Sequence, residues 1–240
     1  MRIIDALLSS LEGDAAVEDV RLSPFWTAVV SRGCGLAANF TAPGHHHDGA
    51  PVKDAGTLAG KQALELARLA GSSSVLESSI GMAAVNSLLQ VNTERCEILN
   101  AGDLIEEKGK GKRVAVVGHF PFVEKLRRSA RELWVIEMLP RRGHHAANEA
   151  TEIIPRAEVV AITGSAFVNG TIEGLLALRS PGAFVVVLGP TTPLSSVLFD
   201  YGVDVVSGTR VVDRDTVLRY VSQGATFRQI RGVSLLTMRK

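Results

Sequence analysis

The sequence contains little cysteine and lacks the short motifs that mark the common zinc sites. Among its 240 residues there are two cysteines, Cys34 and Cys96, and neither a C-x-x-C nor an H-E-x-x-H pattern occurs. Because zinc fingers and zincins need such spacings, we expect no tightly bound structural zinc. Two cysteines in a chain without a secretory signal indicate free thiols in a reducing compartment, so we predict a cytoplasmic protein.

An excess of charge of one sign and long hydrophobic runs are also absent. Lys and Arg total 26 and Asp and Glu total 25, a net charge of +1, so no overall field attracts nucleic acid or an acidic membrane. The longest apolar run, residues 183–188, is far too short to span a bilayer. We therefore predict no nucleic-acid partner and no membrane partner. A homodimer stays open.

A dinucleotide-binding loop is missing at the place where the chain most nearly has one. Residues 114–117 form a β-branched apolar run that is followed by Gly118, and Pro121 suits a first helical position. Ligands of open α/β sheets bind beyond the carboxyl ends of such strands. A G-x-G-x-x-G loop needs further glycines at positions 120 and 123, but Phe120 and Val123 occupy them. A standard NAD or FAD site is therefore not expected.

The first hundred residues and the rest of the chain differ in their hydrophobic pattern. Three short β-like runs separated by turn residues predict a small antiparallel meander, followed by two helices and a polar linker. Farther on, strands and helices alternate, which predicts a parallel sheet covered on both faces, in the strand order 2-1-3-4-5. In the first part we predict strands at 19–23, 25–31 and 36–41 and helices at 58–70 and 75–89; in the second, strands at 113–118, 133–137, 159–163, 184–189, 203–207 and 233–237 and helices at 122–130, 171–178, 193–199 and 213–222.

Four segments of the chain together resemble one uncharacterised family, the "putative heavy-metal chelation" domain. They are GHFP at 118–121, ESSIGMAAVN at 77–86, GPTTPL at 189–194 and FDYGVD at 199–204. The resemblance implies an α/β protein in which an enolase N-terminal-like α+β domain (residues 1–100) and a linker (residues 101–112) precede a Rossmann-like domain (residues 113–240). Relatives carry an acidic, proline-containing loop after the second strand. Here that loop reads RRGHH at 141–145, so an acidic ligand set is not expected there.

The residues that follow the predicted parallel strands are the main candidates for ligand binding. Four roles are open for His119: a hydrogen-bond donor to an anion, an acid or base, a metal ligand, or a turn residue bonded to backbone. Glu137 lies where Rossmann proteins keep a ribose-binding acid, or is a solvated carboxylate. Thr191 and Thr192 suit an anion, although Thr192 also suits a helix cap. The remaining candidates share positions in the strand-end loops: Gly118, Phe120, Thr163, Ser165, Asn169 and Gly189.

Two polar residues of the predicted helix at 75–89 are candidates for a wall contributed by the first domain. Glu77 is a catalytic candidate beside His119, but its position after Ser74 also fits a capping box. Asn86 lies among apolar residues, where an amide needs partners. The histidine run at 45–47 is interpreted as a solvated loop rather than a metal site. The two arginines beside His144 favour an anion there over a divalent cation.

These observations predict a small-molecule site between the two domains. Its ligand would be a metal-chelating, anionic or heteroaromatic metabolite, because strand-end loops converge and pockets favour domain interfaces. No nucleophile–base pair is recognisable, so the reaction, any cofactor and whether the protein is an enzyme stay open. Two alternatives are a non-catalytic metal-binding protein and, by fold analogy alone, a nucleotide- or S-adenosylmethionine-binding protein.

Overall fold

The computed structural model describes residues 2–40 and 51–240. The N-terminal part contains the predicted antiparallel meander, in the order β1-β2-β3. Its elements are helix α1 (Ile3–Ser9), strands β1 (Asp19–Leu22), β2 (Trp26–Val30) and β3 (Cys34–Ala38), and helices α2 (Ala63–Ala67) and α3 (Val75–Leu88). A 3₁₀ turn, Arg68–Gly71, continues α2. The histidine run at 45–47 lies outside the described residues.

The C-terminal part is built around a larger sheet. Its strands are β4 (Arg113–Val117), β5 (Glu132–Glu137), β6 (His145–Ala146), β7 (Val159–Thr163), β8 (Phe184–Leu188), β9 (Val205–Val211) and β10 (Val233–Arg239). Its helices are α4 (Ala101–Gly109), α5 (Val123–Ser129), α6 (Ala150–Ile153), α7 (Ser165–Val168), α8 (Ile172–Ala177), α9 (Val197–Asp200) and α10 (Arg214–Ser222). Within the described residues, no helix is long and apolar enough to cross a membrane.

The large sheet has seven strands in the order β10-β9-β8-β7-β4-β5-β6. All neighbours pair in parallel except β9 and β10. The predicted α/β class and the order 2-1-3-4-5 of the five central strands are confirmed. The chain leaves β4 toward β5 and returns on the other side at β7. The carboxyl ends of β4 and β7 therefore form the switch point where open α/β sheets bind ligands.

Two stretches of the C-terminal part differ from the sequence prediction. Residues 101–112, predicted as a linker, contain helix α4, because Ala101, Leu104 and Ile105 form a buried apolar stripe behind the charged residues. The helix predicted at 193–199 begins only at Val197, because residues 189–196 pack as turns against the N-terminal part. The domain boundaries at 100 and 113 stay a prediction.

Helix α3 and strand β3 attach the N-terminal part to the carboxyl edge of the large sheet. The Asn86 amide donates to Leu36 O at 3.0 Å and to Thr191 O at 3.1 Å. The Ala38 N–H donates to the Thr191 hydroxyl at 2.8 Å. One hydrophobic core accordingly contains buried residues of both parts, from Ile3 to Leu236. The N-terminal part thus covers the loop after β8 and leaves His119, after β4, exposed.

Two glycines allow the N-terminal elements to approach each other closely. A Cβ at Gly35 in β3 would collide with the α3 backbone at Ala83 and Ser87, and a Cβ at Gly81 in α3 would collide with backbone at Ala70. Because these neighbours are backbone atoms rather than flexible side-chain ends, they cannot move aside cheaply.

We expect Gly35→Ala to lower the free energy of unfolding by about 3 kcal/mol, since overpacking forces backbone shifts. Gly174 in α8 is the matched control, because nothing lies within 4 Å of its added Cβ. There the same substitution should raise stability by roughly 0.5–1 kcal/mol through helix propensity. Urea unfolding measures both variants, and equal effects would contradict the close packing of β3 on α3.

The Glu77 carboxylate stabilises the start of α3 rather than completing the predicted capping box. Ser74 caps the helix by accepting from the Glu77 N–H, but the carboxylate accepts from the Ser72 hydroxyl and the Lys53 N–H. The Ser72 hydrogen bond, followed by that of Lys53, holds the pKa of Glu77 below its usual value. A depressed carboxyl pKa stabilises the folded state above the unfolded pKa and stops doing so below the folded pKa.

We therefore expect Glu77→Ala to lower the free energy of unfolding by about 1 kcal/mol at neutral pH. This loss should shrink as the pH falls through the folded pKa of Glu77, which lies below the ordinary value of 4.5. Urea unfolding of both proteins at neutral and acidic pH measures the difference. Exposed Glu152 of α6 is the control, with an expected change within about 0.5 kcal/mol. A loss that did not depend on pH would contradict the role of the charge.

Candidate metal centre

Strand β4 ends in a turn that holds His119 at the carboxyl edge of the sheet. Gly118 adopts φ +100° and donates its N–H to Ile136 O at 2.9 Å. A Cβ at this glycine would lie 3.0 Å from the Thr163 Cβ at the end of β7. The loop therefore needs glycine for both its backbone angle and its space. Helix α5 begins at Val123, one residue after the predicted start at residue 122, and Pro121 lies in the turn before it.

Strand β5 contributes Glu137, its last residue, and the following loop returns His144 to the same place. The His144 N–H donates to Arg141 O at 2.9 Å, and Gly143 adopts φ +83°, closing a tight turn. A positive φ at the third residue of a turn favours glycine. His145 then begins β6, which pairs in parallel with the end of β5.

His119, Glu137 and His144 form a cluster at the ends of β4 and β5. Each offers one ligand atom, and these atoms lie within 4.8 Å of one another. The two imidazole rings are 5.5 Å apart at an angle of 30°. His144 Nδ1 is buried and has no hydrogen-bond partner among the described residues. An unsatisfied buried nitrogen is costly, and a bound cation is one partner that would remove this cost.

The spacing and chemistry of the cluster fit a metal ion. Zinc binds histidine nitrogen and carboxylate oxygen at about 2.0–2.2 Å, so neighbouring ligand atoms of a tetrahedral site lie roughly 3.3–3.6 Å apart. The three ligand atoms lie within 4.8 Å of one another, so side-chain rotations that bring them roughly 1–1.5 Å closer complete this geometry. Two histidines and one carboxylate form a set known from zinc and non-haem iron sites, where further coordination positions stay open.

Other predicted residues lie in the neighbouring strand-end loop. The Thr163 and Ser165 hydroxyls hydrogen-bond to each other at 2.8 Å after β7. Asn169 Nδ2 donates to Met138 Sδ at 3.3 Å, which brings the end of α7 beside the residue that follows Glu137. The Phe120 ring stacks on Phe122, with centroids 5.1 Å apart.

The residues predicted after β8 and on α3 are engaged elsewhere. Gly189 ends β8 with φ +122°, and Thr191 holds the N-terminal part. Thr192 does not cap a helix, because none begins there, and its buried hydroxyl has no partner within the described part of the chain. Asn86 bonds Thr191, and the Glu77 carboxylate is held by Ser72 and Lys53. The predicted site residues therefore divide among the cluster, the neighbouring strand-end loops and the contact with the N-terminal part, while Glu77 lies at the start of α3.

The cysteines and His145 are not members of the cluster. Burial raises the pKa of the Cys34 thiol to about 12, and burial also raises that of Cys96. His145 Nδ1 lies 2.9 Å from the Glu149 carboxylate. This hydrogen bond, with that of the Ala146 N–H, lowers the pKa of Glu149.

His144 is the cluster member that sequence reasoning missed. The two adjacent arginines indicated an anion at this position, but both are exposed to solvent, which screens their charge. The available signal was the histidine's place after the second parallel strand, whose end lies beside that of the first. Histidines and an acid that follow adjacent parallel strands meet at one edge.

Three proteins that resemble this chain in sequence or structure are described as uncharacterised or of unknown function. An uncharacterised protein of Methanocaldococcus jannaschii is 26% identical over 178 residues, which are 71% of this chain and 68% of that protein. A structure from Desulfitobacterium hafniense, of unknown function and from the DUF364 family, has a TM-score of 0.86 at 26% identity and covers 99% of this chain and 98% of its own. A Pyrococcus horikoshii structure of that family has a TM-score of 0.80 at 21% identity, with the same coverage.

Two family models match the chain, and each is described as "Putative heavy-metal chelation". The DUF4213 model matches residues 4–89. The DUF364 model matches residues 100–240, more than half of the chain and the whole of the candidate metal centre. The protein therefore belongs to the DUF364 family.

Proposed function

We propose that the protein binds a divalent transition-metal ion through His119, Glu137 and His144. The observation that carries this proposal is the convergence of their three ligand atoms within 4.8 Å, beside a buried His144 nitrogen without a protein partner. The family description agrees with a metal function. His119 follows β4, one of the two strands at the switch point where this sheet class binds its ligands, and Glu137 ends the neighbouring β5.

The ligand types narrow the choice of metal. Imidazole suits Zn²⁺, Cu²⁺, Fe²⁺ and Ni²⁺, whereas Mg²⁺ and Ca²⁺ prefer oxygen alone. Softer ions favour thiolate, and neither Cys34 nor Cys96 belongs to the cluster. We therefore propose Zn²⁺ or a neighbouring first-row ion rather than a thiophilic heavy metal.

The second part of the proposal is that the bound ion holds a small anionic chelating molecule. Three protein ligands leave further coordination positions, and His119 is exposed, so the cluster is open to solvent on its side. As a Lewis acid, the ion would supply the attraction for anionic oxygens. The nucleotide alternative is weaker, because Thr163 and Phe120 occupy the space beside Gly118 that a pyrophosphate needs.

The direct test is metal binding by tag-free protein in which the histidines at 45–47 are replaced by serine. We expect about one Zn²⁺ per chain by isothermal titration calorimetry, with proton release and weaker binding at lower pH, because imidazole binds metal when neutral. Removing a group that only hydrogen-bonds to a metal ligand typically lowers metal affinity about 10–100-fold. Removing a ligand in His144→Ala should therefore weaken binding by at least about 100-fold.

His145→Ala is the matched control, since this neighbouring histidine pairs with Glu149 instead. It should leave the zinc affinity within about three-fold of the parent. Equal zinc affinities for His144→Ala and His145→Ala would contradict the proposed centre. So would zinc binding that the parent sequence shows and that is lost when the histidines at 45–47 are replaced by serine.

Open coordination positions predict a ternary complex with a bidentate chelator. Acetohydroxamate added to Co²⁺-loaded protein should shift the visible cobalt bands saturably while the cobalt stays bound to protein. Spectra with and without gel filtration measure this complex. Removal of cobalt by acetohydroxamate without a protein-bound ternary species would contradict the small-molecule part of the proposal and leave the metal part standing.

A further inference from the structure

A cavity away from the candidate metal centre lies where the N-terminal part meets β9. It has a volume of about 470 Å³, within the size range of small-molecule sites. We call it the seam cavity; its polar lining includes Arg32, Asn86, Gln90, Asn92, Thr209 and Arg210. Both parts of the chain contribute to it, and it contains none of the three residues of the candidate metal centre.

The charge of the seam cavity has one sign. Arg32 and Arg210 line it, and none of the described residues around it is acidic. Neither arginine forms an ion pair within residues 2–40 and 51–240, and Arg32 donates to Leu88 O at 2.9 Å. Cys34 also lines the cavity, but its raised pKa keeps the thiol neutral. Guanidinium groups without carboxylate partners are suited to bind phosphate or carboxylate.

Two polar groups of the seam cavity also lack partners. The Thr209 hydroxyl is buried and has no hydrogen-bond partner in the described part of the chain. The Asn86 Nδ2 group already donates to Leu36 O and Thr191 O, while its Oδ1 accepts from no described residue. A buried hydroxyl without a partner costs stability, and a ligand can supply the missing hydrogen bond.

We infer that the seam cavity binds a small anion that carries a phosphate or carboxylate group and a hydroxyl donor. Arg32 and Arg210 bind the anionic oxygens, and Thr209 and Asn86 bind the remaining polar atoms. This site is separate from the proposed metal centre and does not depend on it. Because Asn86 also bonds to Thr191, the ligand contacts the same residues that join the two parts.

The test uses inorganic phosphate and citrate as separate probes on metal-free protein, with chloride keeping the ionic strength constant. We expect saturable ¹⁵N–¹H shifts at the Gly33, Thr209 and Arg210 amides and a rise in the unfolding temperature with at least one probe. Comparing the two affinities distinguishes a phosphate ligand from a carboxylate ligand.

Three variants locate the binding. Arg210→Gln should weaken it about ten-fold or more, as loss of a charged hydrogen bond does, while exposed Arg228→Gln should leave it unchanged. Thr209→Val should weaken binding without lowering the stability of the free protein, because it removes an unsatisfied hydroxyl. His144→Ala should bind both anions as the parent does.

Several results would overturn the inference. The first is an absence of saturable binding with both probes. The second is an equal change of anion affinity in Arg210→Gln and Arg228→Gln. The third is a loss of anion binding in His144→Ala, which would place the anion at the metal centre. A stability loss in Thr209→Val with unchanged anion affinity would remove the hydroxyl from the site.

Discussion

The hydrogen bonds around Thr191 determine which part of the sheet edge is accessible. Asn86 of α3 and Ala38 of β3 both bond to this residue, so the N-terminal part is seated over the loop after β8. The ends of β4 and β5 lie farther along the same edge and present the exposed His119. The contact at Thr191 therefore divides the carboxyl edge of the sheet into a covered region after β8 and an open region after β4 and β5.

The side chains of the open region offer nitrogen and oxygen atoms to a metal, and this limits which metals the family's description can mean for this chain. Thiophilic heavy metals need thiolate, but Cys34 is a half-buried residue of the N-terminal part, and burial raises the pKa of its thiol. The cluster at β4 and β5 instead suits borderline ions such as Zn²⁺. For this chain we therefore interpret chelation as three-ligand binding of a first-row metal that leaves room for a further ligand.

The sequence predicted the parallel strands well, because buried β-branched runs such as residues 159–163 have few alternatives. It failed at α4, where four of the nine residues are charged and the buried side chains are those of Ala101, Leu104 and Ile105. His119 and Glu137 were identified because His119 follows one predicted strand and Glu137 ends the next. His144 was missed because its position depends on the turn at Gly143, which no local pattern relates to His119.

The X-ray absorption spectrum of zinc-loaded protein reports whether His119, Glu137 and His144 together bind the ion. We expect a first shell of nitrogen and oxygen at about 2.0–2.1 Å, with scattering from two imidazoles and loss of one imidazole in His144→Ala. A zinc–sulfur distance of about 2.3 Å would place the ion on cysteine. That distance, or a spectrum unchanged in His144→Ala, would show that these three residues do not form the metal centre.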